Sequence, residues 1–232
     1  MLLLFMLPLI AFAHYAVFPQ ETRCIFIRFS SLENGGNFYT SKGVRQSLKD
    51  SIQTLIRGAE KRVNQFWGAR KSAPIFIYCD SEADYHKYGN EIGSPAATYN
   101  KLGTYIVLSR DGLDLDIIAH ELGHAELYSR IGFIAQKFKV PAWFDEGLAM
   151  QVDHRPEFSV DSLRKRTDDF QNLPDMKSLK SGGAFMGGSE EEVLLRFMTA
   201  KYVVGQWYSP EILQRFIAGL NRGESFEVAY KQ

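Results

Sequence analysis

The segment Ile117-Ile118-Ala119-His120-Glu121-Leu122-Gly123-His124 restricts the fold of this chain more than any other. On a helix, two histidines four residues apart lie on one face a single turn apart, close enough to reach the same ion. Leu122 and Gly123 between them are uncharged, which suits a helix buried beneath a cleft. The surrounding pattern predicts one helix from about Asp114 to Ile131, stopping near Gly132.

Upstream of that helix the pattern is mixed. Cys24 to Phe29 is rich in β-branched and aromatic residues and predicts a strand, and Asn34-Gly35-Gly36-Asn37 predicts a turn. Leu48, Ile52, Leu55, Ile56, Ala59, Val63 and Phe66 recur at the spacing of one helix face, within a helix from Val44 to Trp67. Ile75 to Cys79 and Tyr105 to Leu108 predict two further strands. A short helix is expected over Glu82 to Tyr88, and Gly93-Ser94-Pro95 punctuates the chain before the last strand.

Downstream the pattern is helical. Pro141 opens a helix over Trp143 to Val152, residues 171–188 read as loop, and Ser189-Glu190-Glu191-Glu192 is a capping box ahead of an apolar helix to Tyr208. Ser209-Pro210 starts another, with Leu213, Phe216, Ile217 and Leu220 on one face. Without internal repeats or a dividing linker, this layout predicts one α+β domain over residues 21–232. A small N-terminal mixed sheet with helices precedes the His-Glu helix and a helical C-terminal part.

Two imidazoles on one helix face can reach a single metal ion, and Glu121 borders that face without being a direct ligand. There its carboxylate can take a proton from a water polarised by zinc. The competing reading is two solvated or core histidines on an ordinary helix. A third ligand must come from downstream. Three and six residues past His124 stand Leu127 and Arg130, where a metzincin needs Gly and His, so that class is excluded. The next predicted helix carries Trp143-Phe144-Asp145-Glu146-Gly147-Leu148-Ala149. If it packs antiparallel to the first, Glu146 meets the histidine face and a His-His-Glu set results. Asp145 is the competing or outer carboxylate.

His120-Glu121-Leu122-Gly123-His124 followed by Trp143-Phe144-Asp145-Glu146-Gly147-Leu148-Ala149 resembles the gluzincin metallopeptidases of the peptidase MA clan. Gly223 to Tyr230 is similar to the tail of small domains of that kind. The resemblance implies a zincin-like fold, zinc on His120, His124 and Glu146 (one ion per chain), Glu121 as general base, and a peptide or protein substrate. It also implies that an upper-edge strand, expected at Tyr105 to Leu108, binds extended peptide by strand addition. Glu126 departs from the family's apolar flank and predicts a partly exposed helix end. Such enzymes add a downstream Tyr or His that stabilises the oxyanion. Tyr202, Tyr208 and His154 are the candidates, with Tyr202 preferred, and packing or surface roles compete for each. A catalytically silent zincin scaffold that binds a partner, and a zinc amidase acting on a non-protein amide, are the alternatives.

Met1 to Gln20 contains no Asp, Glu, Lys or Arg, and Ala11-Phe12-Ala13 supplies a small-x-small cleavage pattern. Residues 1–20 therefore read as a signal peptide or an uncleaved membrane anchor, with a buried N-terminal element as the competing reading. Export to a periplasmic, extracellular or membrane-anchored location follows. Cys24 and Cys79 lack Cys-x-x-Cys spacing; one disulfide and two core thiols are both open. The 27 basic and 27 acidic residues cancel, and no basic stripe points to nucleic acid. A chain of 232 residues that is 45% hydrophobic can bury a full core.

Overall fold

The computed structural model describes residues 13–89 and 94–231. Residues 1–12, most of the predicted leader, and Gly93 of the predicted punctuation lie outside the described residues. Among the described residues no helix is long and apolar enough to cross a membrane. The protein is α+β, mostly helical, with one small mixed sheet.

The predicted strand at Cys24 to Phe29 does not form. The chain there makes helix α1 (Pro19–Ile25) and a 3-10 turn (Ile27–Phe29). Pro19 suits a first helical turn, and Glu21, Thr22 and Cys24 are buried on one side. The Cys24 thiol lies 3.4 Å from the Tyr88 carbonyl at the end of α3 (Glu82–Tyr88). Phe26 and Phe29 remain exposed. Packing overrides the β-propensity of these residues. Cys24 and Cys79 are both buried free thiols, and burial pushes the Cys79 thiol up to about 12.

Five short strands form the sheet: β1 (Glu33–Asn34), β2 (Phe38–Thr40), β3 (Ile75–Tyr78), β4 (Ala96–Tyr99) and β5 (Tyr105–Leu108), in the order β1-β2-β3-β5-β4. The predicted Asn-Gly-Gly-Asn turn joins β1 to β2, and the Gly36 amide donates to Asn34 Oδ1 at 2.8 Å. β2, β3 and β5 run parallel, while β4 is antiparallel to β5. Tyr105–Leu108, expected at the edge, is therefore interior, and among the described residues β4 is the edge strand on that side. With two to four residues each, β1, β2 and β4 are too short to show a period in the sequence.

Alternation along the strands serves both faces of the sheet. Phe76, Tyr78, Ile106 and Leu108 join the main core with Ile52, Ile56, Ala59 and Val63 of helix α2 (Gln46–Trp67) and with the His-Glu helix. Tyr39, Ile77, Tyr105 and Val107 face a second core that includes Cys24, Tyr85 and Tyr88.

The His-Glu helix is α4 (Leu115–Phe138), capped by the Asp114 carboxylate, which accepts from the amides of Asp116 and Ile117. It breaks at Gly132 (φ 77°, ψ 165°), where the sequence ended it, and resumes to Phe138. Helix α5 (Ala142–Ala149) has Pro141 as N-cap and runs into a 3-10 turn (Met150–Val152). Next come α6 (Val160–Arg166) and α7 (Gly182–Met186). The latter lies within the predicted loop, where Ser181 caps it and Phe185 is fully buried. Helices α8 (Glu190–Trp207), α9 (Pro210–Asn221) and α10 (Phe226–Tyr230) complete the chain, and the Ser189–Glu192 capping box is formed.

Glu126, predicted at a partly exposed helix end, is completely buried. It accepts from Arg130 Nε at 2.8 Å and from the backbone amides of Lys71 and Ser72. Arg130 also donates to the carbonyls of Trp67 and Ala69, so the pair fastens the end of α2 to α4.

Candidate metal centre

Three contacts fix α5 between α4 and the C-terminal helices. The Cα of Ala149 is so close to Gly123 that a Cβ there would sit 2.9 Å from it. On the other side of α5, a Cβ on Gly147 would meet the Ala200 carbonyl of α8 at 2.8 Å. Only glycine admits both approaches. Phe144, fully buried, then anchors α5 among Trp207, Phe216, Phe226 and Tyr230, with ring centroids 4.8–5.6 Å away.

This packing brings His120, His124 and Glu146 into one group able to hold a metal ion. The two Nε2 atoms are 3.1 Å apart, and Glu146 Oε2 lies 3.3 Å from His120 Nε2 and 3.4 Å from His124 Nε2. Bonds of about 2.0 Å at tetrahedral angles separate neighbouring donors by about 3.3 Å, so the spacing fits one small divalent cation. The side chains are 12%, 14% and 23% exposed, sheltered yet open to solvent on one side. Two imidazoles and a carboxylate are a donor set suited to zinc.

Asp145, the neighbouring carboxylate, holds His124 from behind. Its Oδ1 lies 2.8 Å from His124 Nδ1, which leaves Nε2 for the shared centre. The other oxygen of Asp145 accepts from Gln136 Nε2 at 3.0 Å, and the same amide donates to the His124 carbonyl. His120 Nδ1, by contrast, is buried and without a partner among the described residues. Burial disfavours charge on His124, but Asp145 and Glu146 outweigh it and raise its pKa well above the ordinary value. Burial likewise works against an ionised Glu146, and the two imidazoles overcome it, holding that carboxyl far below its usual range. Two carboxylates thus converge on two imidazoles and require positive charge, from a proton or from a cation.

Glu121 is not one of these donors. Its Oε2 accepts from the hydroxyl of Thr98 on β4 at 2.5 Å. The candidate oxyanion residues have their contacts elsewhere. Tyr202 stacks on Phe170 with centroids 4.9 Å apart, and the Tyr208 hydroxyl donates to the Phe66 carbonyl at 2.8 Å. His154 is exposed, its amide donating to Asp116 Oδ1 one turn before His120. Sequence reading did not find Thr98 or Gln136. Each is a common polar residue with no motif around it, made relevant only by where its backbone passes.

No family model and no curated protein matches this sequence.

Proposed function

We propose that this chain is a zinc-dependent peptidase of the gluzincin kind, hydrolysing peptide bonds with Glu121 as general base. The observation that carries the reading is the convergence of His120, His124 and Glu146 donors at 3.1–3.4 Å, beside a carboxylate that is not a ligand. His120, His124 and Glu146 would hold the zinc, and Asp145 would fix the tautomer of His124. When bound, zinc supplies a Lewis acid that lowers the pKa of water to about 7. Glu121 accepts the proton of the attacking water on its carboxylate and delivers it to the leaving amine. An extended peptide would lie along the free edge of β4, beside α4, adding a strand to the sheet. The arrangement of mixed sheet, antiparallel edge strand and buried His-Glu helix is compatible with a zincin-like fold. The charge-free leader supports export, with residues 1–20 cleaved or retained as a tether.

Metal analysis and a peptide-cleavage assay test the reading together. Wild-type protein should carry about one zinc per chain, and Glu146→Ala should lose it. Zinc occupancy unchanged in that variant would remove the third ligand and with it the proposal.

The contacts of Tyr202, Tyr208 and His154 favour a second reading, a zincin scaffold that binds zinc and a protein partner without cleaving it. Zinc-loaded protein that cleaves no member of a broad peptide library would support it, unless a non-protein amide were hydrolysed instead.

A further inference from the structure

Glu121 is rotated off the line of the two histidines, so metal binding at His120 and His124 does not orient its side chain. Something else must. Thr98 shares a face of β4 with Ala96, which is packed into the main core, so its side chain is turned toward α4. Its hydroxyl donates to Glu121 Oε2 at 2.5 Å, and the Glu121 carbonyl, at 3.4 Å, is the weaker competitor. Hydroxyl-to-carboxylate bonds of this length are charge-assisted and strong. Threonine also brings a stiff χ1, which fixes where the hydroxyl points. Among the described residues this is the only hydrogen bond to the carboxylate, and it leaves Oε1 without a donor and free to accept a proton.

We infer that Thr98 is the positioning residue of the general base: it clamps Oε2 of Glu121 so that Oε1 is presented to the attacking water. The inference rests on Glu121 acting as that base. It also gives the edge strand two tasks, since β4 would align the peptide with its backbone and the base with one side chain. The scissile bond and the base then keep register on a single rigid element. Because the hydroxyl faces the helix and not the open edge, its removal should leave peptide binding alone.

Thr98→Val, which removes the hydroxyl at nearly constant shape, and Thr98→Ser, which keeps it, provide the test. With a quenched-fluorescent peptide cleaved by the wild type, Thr98→Val should lower kcat about tenfold with KM and zinc per chain unchanged. Thr98→Ser should restore most of the loss. Crystal structures of both variants give a readout independent of activity. The Glu121 carboxylate should leave its place in the valine variant and keep it in the serine variant. Full kcat in Thr98→Val, or an undisplaced Glu121 carboxylate there, would overturn the inference. If the wild type cleaves no peptide, the peptidase reading fails, and the crystal structures alone decide what holds Glu121.

Discussion

The two ends of the segment from His120 to Arg130 both draw ionisable groups wholly or largely out of solvent, and they balance the charge in opposite ways. At the Arg130 end, Glu126 is completely buried, yet a guanidinium and two backbone amides meet it within the protein. Charge and hydrogen bonds close on themselves, and the pair ties α4 to the end of α2. At the His120 end, two carboxylates face two imidazoles, and among the described residues no lysine or arginine pairs with them. That cluster is balanced only by a proton taken up on His124 or by an ion from outside. The two ends thus differ in how charge is balanced as well as in exposure: Glu126 is fully buried and paired, while the histidine and carboxylate side chains stay 12–23% exposed.

The comparison can be broken most sharply through Glu121. Glu121→Gln should reduce peptide hydrolysis about a thousandfold while zinc per chain stays the same; cleavage at the wild-type rate would exclude this carboxylate as the base. Next in size is Glu126→Ala. It strands Arg130 and should cost about 3 kcal/mol in chemical denaturation, with zinc bound per folded chain unaltered. A lower zinc stoichiometry in that variant would show that the two ends are not independent. Asp145→Ala is the mirror experiment, with zinc affinity falling about 10- to 100-fold by competition with a chelator and little change in unfolding.

The smallest effect is in pH. With its pKa raised, His124 adds stability to the metal-free protein that is complete below its unfolded value and lost as pH rises through the raised one. Glu146, depressed, adds stability above its unfolded value, lost only as pH falls through the lowered one. Zinc needs the deprotonated imidazole, so protons compete with it. The rise in Tm produced by zinc should therefore grow with pH, and a rise that shrinks would contradict assignment of His124 as a ligand.

Much of this was legible from local spacing. The i, i+4 histidines, the capping box at Ser189 and Glu192, the apolar face of α2 and the stop at Gly132 are all settled within a few residues of themselves. Glu146 could be expected from the Trp143 to Ala149 segment and its resemblance, on the condition that the next helix packs antiparallel to the first. Cys24 to Phe29 misled because strand propensity in an isolated segment is weak, and packing of Thr22 and Cys24 decided for a helix. The edge strand was misplaced because the four residues of β4 carry no recognisable period, while Tyr105 to Leu108 reads equally well inside or outside a sheet.

The sequence by itself determined the chemistry of the centre: which side chains are histidine and carboxylate, and that two of them share a helix face. Tertiary structure alone decided how they are supported. Thr98 reaches Glu121 across 23 positions of chain, Gln136 reaches Asp145 from beyond a helix break, and Glu126 meets amides 54 and 55 residues away. The reason is one of range. Helical periodicity is written in neighbours, whereas a hydrogen bond between distant segments depends on close helix approaches such as those at Gly123 and Gly147, and no local pattern encodes those.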